Sequence, residues 1–114
     1  MKTFKSITDV EQLRNHPLHA TIKSLVAPVI TATPEYRPKD DGYVALIEPG
    51  DVNRVLSDLD MPWRLSEVPF EAVTVVNQCL HCLYIPNNQF ALSILVPDAE
   101  WLPNDVRQHL EAHI

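Results

Sequence analysis

Glycine is almost absent from this chain: Gly42 and Gly50 are the only two in 114 residues. A loop that wraps phosphate in backbone amides needs several glycines close together. The phosphate-binding loop of nucleotide hydrolases and the dinucleotide fingerprint are therefore excluded in their known patterns. Long apolar runs are also missing. The longest, "LVAPVI", is short and contains Pro28, whereas a membrane-spanning helix takes about 20 apolar residues. The opening "MKTFKSITDV" carries basic residues with no apolar segment behind them, so no secretory signal is read. These absences lead to the expectation of a cytoplasmic chain without membrane contact, whose two cysteines are thiols rather than a structural disulfide.

Positive charge is scarce too, with 9 Lys and Arg against 15 Asp and Glu and a net charge of -6. Residues 1–39 carry six basic and three acidic side chains, a balance of +3, and residues 40–114 carry three basic and twelve acidic, a balance of −9. Binding to a phosphate backbone relies on clustered Lys and Arg, so no direct nucleic-acid partner is expected. An acidic face could meet a basic protein, or it could simply maintain solubility. The serines at 6, 24, 57, 66 and 93 lie in no G-x-S-x-G elbow, which leaves an activated serine without support.

What the chain does have is the composition of a globular domain, 46% hydrophobic and 21% charged, long enough to bury a core without disulfide or metal. Thr8 and Glu11 have the spacing of a capping box for a first helix running to about Asn15. Leu18, Ile22, Leu25 and Val26 predict a second helix that begins near Pro17 and stops at Pro28. Residues 31–42, with two prolines and a charge cluster, read as a surface loop. Tyr43–Ile47 reads as a strand. Asp51 then stands as the cap of a helix with Val52, Val55, Leu56 and Leu59 on one side.

Between Pro69 and Pro97 the runs "AVTVV", "CLHCLYI" and "FALSILV" fit an antiparallel meander, and a helix over 69–83 is the rival reading. A turn at Asn87 and Asn88 would set Ile85 against Phe90, Leu83 against Leu92 and His81 against Ile94. Asn104 or Asp105 caps a last helix with Val106, Leu110 and Ile114 on its apolar stripe. The whole is expected to be a single α+β domain over residues 1–114. About four mostly antiparallel strands would be covered mainly on one face by three or four helices, the last at the C-terminus.

Cys79-x2-Cys82 and His109-x3-His113 are the ingredients of a zinc site. The 26 residues between Cys82 and His109, however, make a gap about twice that of a zinc finger. On a strand, alternation also sends the two thiols to opposite faces. As two buried apolar residues the cysteines need no metal. His81 reads as a core or boundary residue, and His16 and His19 straddle a helix junction. Glu48 with Asp51, and Asp40 with Asp41, could serve a hard cation or acid–base chemistry; helix capping and loop solvation account for them more simply.

Trp63 and Trp101 each stand beside proline in polar surroundings, where tryptophan anchors interfaces or closes the rim of a core. The expected function is a small non-enzymatic protein-interaction domain without cofactor. It would bind another protein or a second copy of itself through a surface near Trp63 or Trp101. The alternative is a zinc-binding regulator or enzyme using Cys79, Cys82, His109 and His113.

Overall fold

The computed structural model describes residues 1–32, 35–59, 61–87, 90–97 and 99–114. Its strands are β1 (Lys2–Phe4), β2 (Gly42–Leu46), β3 (Ala72–Val76), β4 (Cys79–Asn87) and β5 (Phe90–Pro97), and its α-helical segments are α1 (Ile7–Glu11), α2 (His19–Ala32), α3 (Pro38–Asp41) and α4 (Asn104–Glu111). They form an α+β structure around one five-stranded sheet in the order β1-β2-β5-β4-β3. The sheet is mixed: β2 and β5 run parallel, and the other neighbours run antiparallel. The Cα radius of gyration of 13.2 Å is about that of a compact chain of this length.

Both faces of the sheet are covered, which corrects the expectation of about four strands with helices mainly on one face. Val44, Leu46, Cys79 and Leu95 form a core with Phe4, Val10 of α1, and Ile22, Val26 and Ile30 of α2. Their sequence neighbours Tyr43, Ala45, Leu80, Cys82, Ile94 and Val96 point the other way. There they pack on Val106 and Leu110 of α4 and on Val52, Leu56, Leu65 and Phe70. The physical reason lies in the central strands. All of β2 is buried, as is typical of a strand paired in parallel and covered on both sides.

The meander of β3, β4 and β5 forms as expected from its β-branched and aromatic runs. Asn77 and Gln78 both adopt positive φ, 47° and 68°, the primed-turn geometry that matches strand twist in a two-residue hairpin. The turn expected at Asn87 and Asn88 falls partly outside the described residues. Beyond it the pairing is Cys82 with Ile94, Leu83 with Ser93 and Tyr84 with Leu92, and an irregularity lies between Tyr84 and Asn87. The register is thus one residue away from the expected one, which turns Tyr84 rather than Leu83 toward the α4 side.

Gly42 opens β2 at φ 127°, and a Cβ there would stand 1.9 Å from the Ala91 carbonyl oxygen. Only glycine lets β2 approach β5 this closely.

The helix expected after Asp51 does not form. Residues 49–51 and 57–59 are 3-10 turns, and Val55 bridges Arg64. The Leu56 amide donates to the Trp63 carbonyl at 2.9 Å, so the chain doubles back where a helix would continue. Val55, part of the expected apolar stripe, is 42% exposed.

Pro28 lies inside α2 instead of ending it, because Val26 and Ile30 are buried on either side of it and tertiary packing outweighs the missing hydrogen bond. α1 is shorter than expected, and its start is set by Asp9, whose carboxylate accepts the Lys5 and Ser6 amides. Within the expected loop 31–42, of which 33 and 34 lie outside the described residues, α2 reaches Ala32 and α3 adds a turn. Pro103, rather than Asn104 or Asp105, is the cap position of α4.

Candidate functional site

Cys79 and Cys82 are fully buried on opposite sides of the sheet. Burial pushes the Cys79 thiol up to about 11 and the Cys82 thiol up to about 12, so neither is a thiolate near neutral pH. His109 and His113 do come together one helical turn apart, with ring centroids 4.9 Å from each other and Phe70 beside both. His109 Nε2 is 2.6 Å from the Val68 carbonyl and His113 Nδ1 is 2.7 Å from the His109 carbonyl. Both ring nitrogens must therefore carry hydrogen to donate. The structure brings the imidazoles together and holds the thiols apart. Among the described residues no group of three or more His, Cys, Asp or Glu side chains could hold a metal ion.

The carboxylates have structural partners. Asp51, only 6% exposed, pairs with the Met1 amino group and with Arg54 at 2.9 Å. Burial alone would raise its pKa. The hydrogen bonds and charges of Met1, the Glu48 amide and Arg54 outweigh burial and hold the carboxyl below its ordinary 3.8. Asp41 accepts the Arg37 amide at 2.8 Å. His81 lies half-buried on the α2 side of β4, where burial lowers its pKa from 6.5.

The two tryptophans lie at opposite ends of the central strands. Trp101, in the 3-10 turn Ala99–Trp101, donates its indole N–H to the Pro97 carbonyl at 3.0 Å. It borders a cleft of about 500 Å³ at the ends of β2 and β5, together with Leu13, His16, Leu46, Glu48 and Gln78.

Trp63 borders a cleft of about 350 Å³ at the starts of those strands, with Tyr43, Leu59, Met61, Pro62, Tyr84, Pro86 and Phe90. Register builds this second cleft. Leu92 pairs with Tyr43 on one side and Tyr84 on the other. The two tyrosines therefore rise from strands two spacings, about 10 Å, apart. Phe90 stands edge-on to Tyr43 and Trp63 edge-on to Tyr84, each at 5.8 Å, so each wall is a ring pair. Among the described residues the lining carries no formal charge. Neither the Trp63 indole N–H nor the Tyr84 hydroxyl has a hydrogen-bond partner among the described residues, and neither is buried.

Tyr43, Tyr84, Phe90 and Met61 were not anticipated as site residues. The alternation in "YVALI" and "FALSILV" carried part of the signal, but the one-residue register difference hid Tyr84. Compared with known proteins, the chain matches no family model, no curated protein and no solved structure.

Proposed function

We propose that this chain is a non-enzymatic protein-interaction domain whose Trp63 cleft holds an extended, proline-containing segment of a partner protein. The observation that carries this reading is the pair of donors without a partner among the described residues, the Trp63 indole N–H and the Tyr84 hydroxyl, set in an aromatic cleft. A polyproline-type helix has the complementary chemistry. It makes no internal hydrogen bonds, so its carbonyls accept from such donors, while its rings pack on aromatic walls. Walls rising from strands about 10 Å apart leave room for one chain between them. Prolines at 62 and 86 stiffen both sides of the cleft, which lowers the ordering cost of binding.

Titration with a synthetic polyproline peptide of about ten residues, followed by calorimetry and tryptophan fluorescence, tests the proposal. Binding is expected to weaken at least tenfold in Trp63→Ala and to persist in Trp101→Phe. Absence of binding by the wild type, or equal binding by Trp63→Ala, would overturn it.

A further inference from the structure

β3 is the outer strand on its side of the sheet, and its sequence, "AVTVV", supplies none of the guards that a strand can carry itself, while the C-terminal segment after α4 covers the edge at Val73. Native edge strands are kept from pairing with other chains by Lys, Pro, bulges or extreme shortness. The opposite edge follows that rule, since β1 is three residues long and carries Lys2. β3 holds no charge and no proline, and it pairs with β4 in unbroken register.

Its hydrogen-bonding pattern follows from the turn. Val76 and Cys79 close the two-residue hairpin, so hydrogen-bonded pairs alternate at Val76, Thr74 and Ala72. Val73 and Val75 therefore direct their backbone groups away from β4. The Val73 amide is taken by the His113 carbonyl at 3.3 Å. Val75 follows it along the edge, and no contact among the described residues satisfies its N–H or C=O. Its side chain is 57% exposed and Ile114 is 68% exposed. Both line a shallow groove of about 230 Å³ with Leu80, Glu100, Arg107 and Glu111.

We infer that this edge associates with a second copy of the chain, β3 against β3 in antiparallel register about Val75. A twofold axis there sets Val75 opposite Val75 of the other copy, where the two residues exchange both backbone hydrogen bonds. The Val73 amide stays with the His113 carbonyl, so the backbone pairing is confined to Val75, and the two strands diverge before Val73 would meet Asn77 of the other copy. Charge favours a self-complementary pairing at this place. The chain carries -6 overall, yet no Asp, Glu, Lys or Arg occurs between Glu71 and Asp98. Two acidic copies can thus meet along the meander edge without opposing like charges in the paired strands. The groove rim holds both signs, but Arg107 is engaged within its own chain, donating to the Glu100 carbonyl, so the pairing rests on the strand backbones rather than on ion pairs. One short strand and a shallow groove make a small interface, and the dimer is accordingly weak and concentration-dependent. This inference shares no residue with the Trp63 cleft and does not depend on it.

Sedimentation velocity and native mass spectrometry over a concentration series test the inference on the wild type and on Val75→Lys. The expected result is a reversible wild-type dimer whose dissociation constant rises at least tenfold in Val75→Lys. A second variant, Val75→Cys, covers the case in which the lysine disturbs folding. A hydrogen-bonded antiparallel pair spaces its Cα atoms at about 5.5 Å, within disulfide range, and the two native cysteines are fully buried. Val75→Cys is therefore expected to give a covalent dimer under mild oxidation. A wild type that stays monomeric at every concentration, a dimer that Val75→Lys leaves unchanged, or a Val75→Cys chain that fails to cross-link as a dimer would overturn the inference.

Discussion

Trp63 and Trp101 flank the same core, yet one hydrogen bond sets them apart. Trp101 gives its N–H to the Pro97 carbonyl, so its polar and apolar needs are both met within the fold. Trp63 packs its ring edge-on to Tyr84 and leaves its N–H without a protein acceptor among the described residues. The first arrangement completes its own hydrogen bonding; the second leaves a donor beside an aromatic wall, which is what the proposed docking role requires. An exposed or half-buried tryptophan in a sequence is thus ambiguous until its indole nitrogen is traced.

The largest expected effect breaks this comparison through stability. Trp101→Ala removes a packed ring and leaves the Pro97 carbonyl without its donor, a loss of about 3 kcal/mol. Trp63→Ala, at an equally half-buried site that lacks such a hydrogen bond, should cost about 2 kcal/mol. For a chain of this size the first corresponds to a drop in Tm of roughly 10 °C, measured by thermal circular dichroism. Equal losses in the two variants would show that both rings are structural and would weaken the docking role of Trp63.

A smaller effect separates the two ends by pH. The Trp101 cleft includes Glu48 and Pro49, and Asp51, in the same turn, pairs with Met1 and Arg54. The Trp63 cleft holds no carboxylate among the described residues. With its folded pKa below the unfolded value, Asp51 contributes stability that is fully present above the ordinary carboxyl value of 3.8 and is lost as pH falls through the lower folded value. Asp51→Asn should lower stability at neutral pH by about 2 kcal/mol and flatten that acid limb in urea unfolding measured at successive pH values. An unchanged acid limb would locate the titration elsewhere.

The same contrast shows how far the residues could be read before the fold was known. Strong local patterns survived. "AVTVV", "CLHCLYI" and "FALSILV" became β3, β4 and β5, and alternation placed Cys79 and Cys82 on opposite faces, as a strand must. Patterns that two structures can share did not survive. Val52, Leu56 and Leu59 are buried, as a helical stripe would be, but the Val55–Arg64 bridge and the Leu56–Trp63 hydrogen bond bury them in a doubled-back loop instead. Two-sided coverage of the sheet was written in the unbroken apolar run of "YVALI", a feature of central parallel strands that a strand-by-strand reading passes over. The irregularity between Tyr84 and Asn87 falls at Pro86, which cannot donate to the ladder and so marks a bulge in an interior strand, but the direction of the resulting register change is not written there. Because it decides which face Tyr84 takes, it also decides that the Trp63 cleft exists.

The smallest effect sharpens the comparison without disturbing the fold. Trp63→Phe keeps an aromatic ring on Tyr84 and should leave Tm within about 2 °C of the wild type. With its indole N–H open to solvent, Trp63 is expected to supply the longer-wavelength, acrylamide-quenched part of the fluorescence. Trp101, with its N–H bonded to Pro97, supplies the shorter-wavelength, protected part. Trp63→Phe should therefore shift emission to shorter wavelength and abolish most quenching, and Trp101→Phe should do the reverse. The two single-tryptophan spectra should then add up to that of the wild type, because each ring sits at its own end of the sheet. If Trp63→Phe instead removed the protected component, the Trp63 indole would be closed off in solution, and its N–H could not serve as the donor at the cleft.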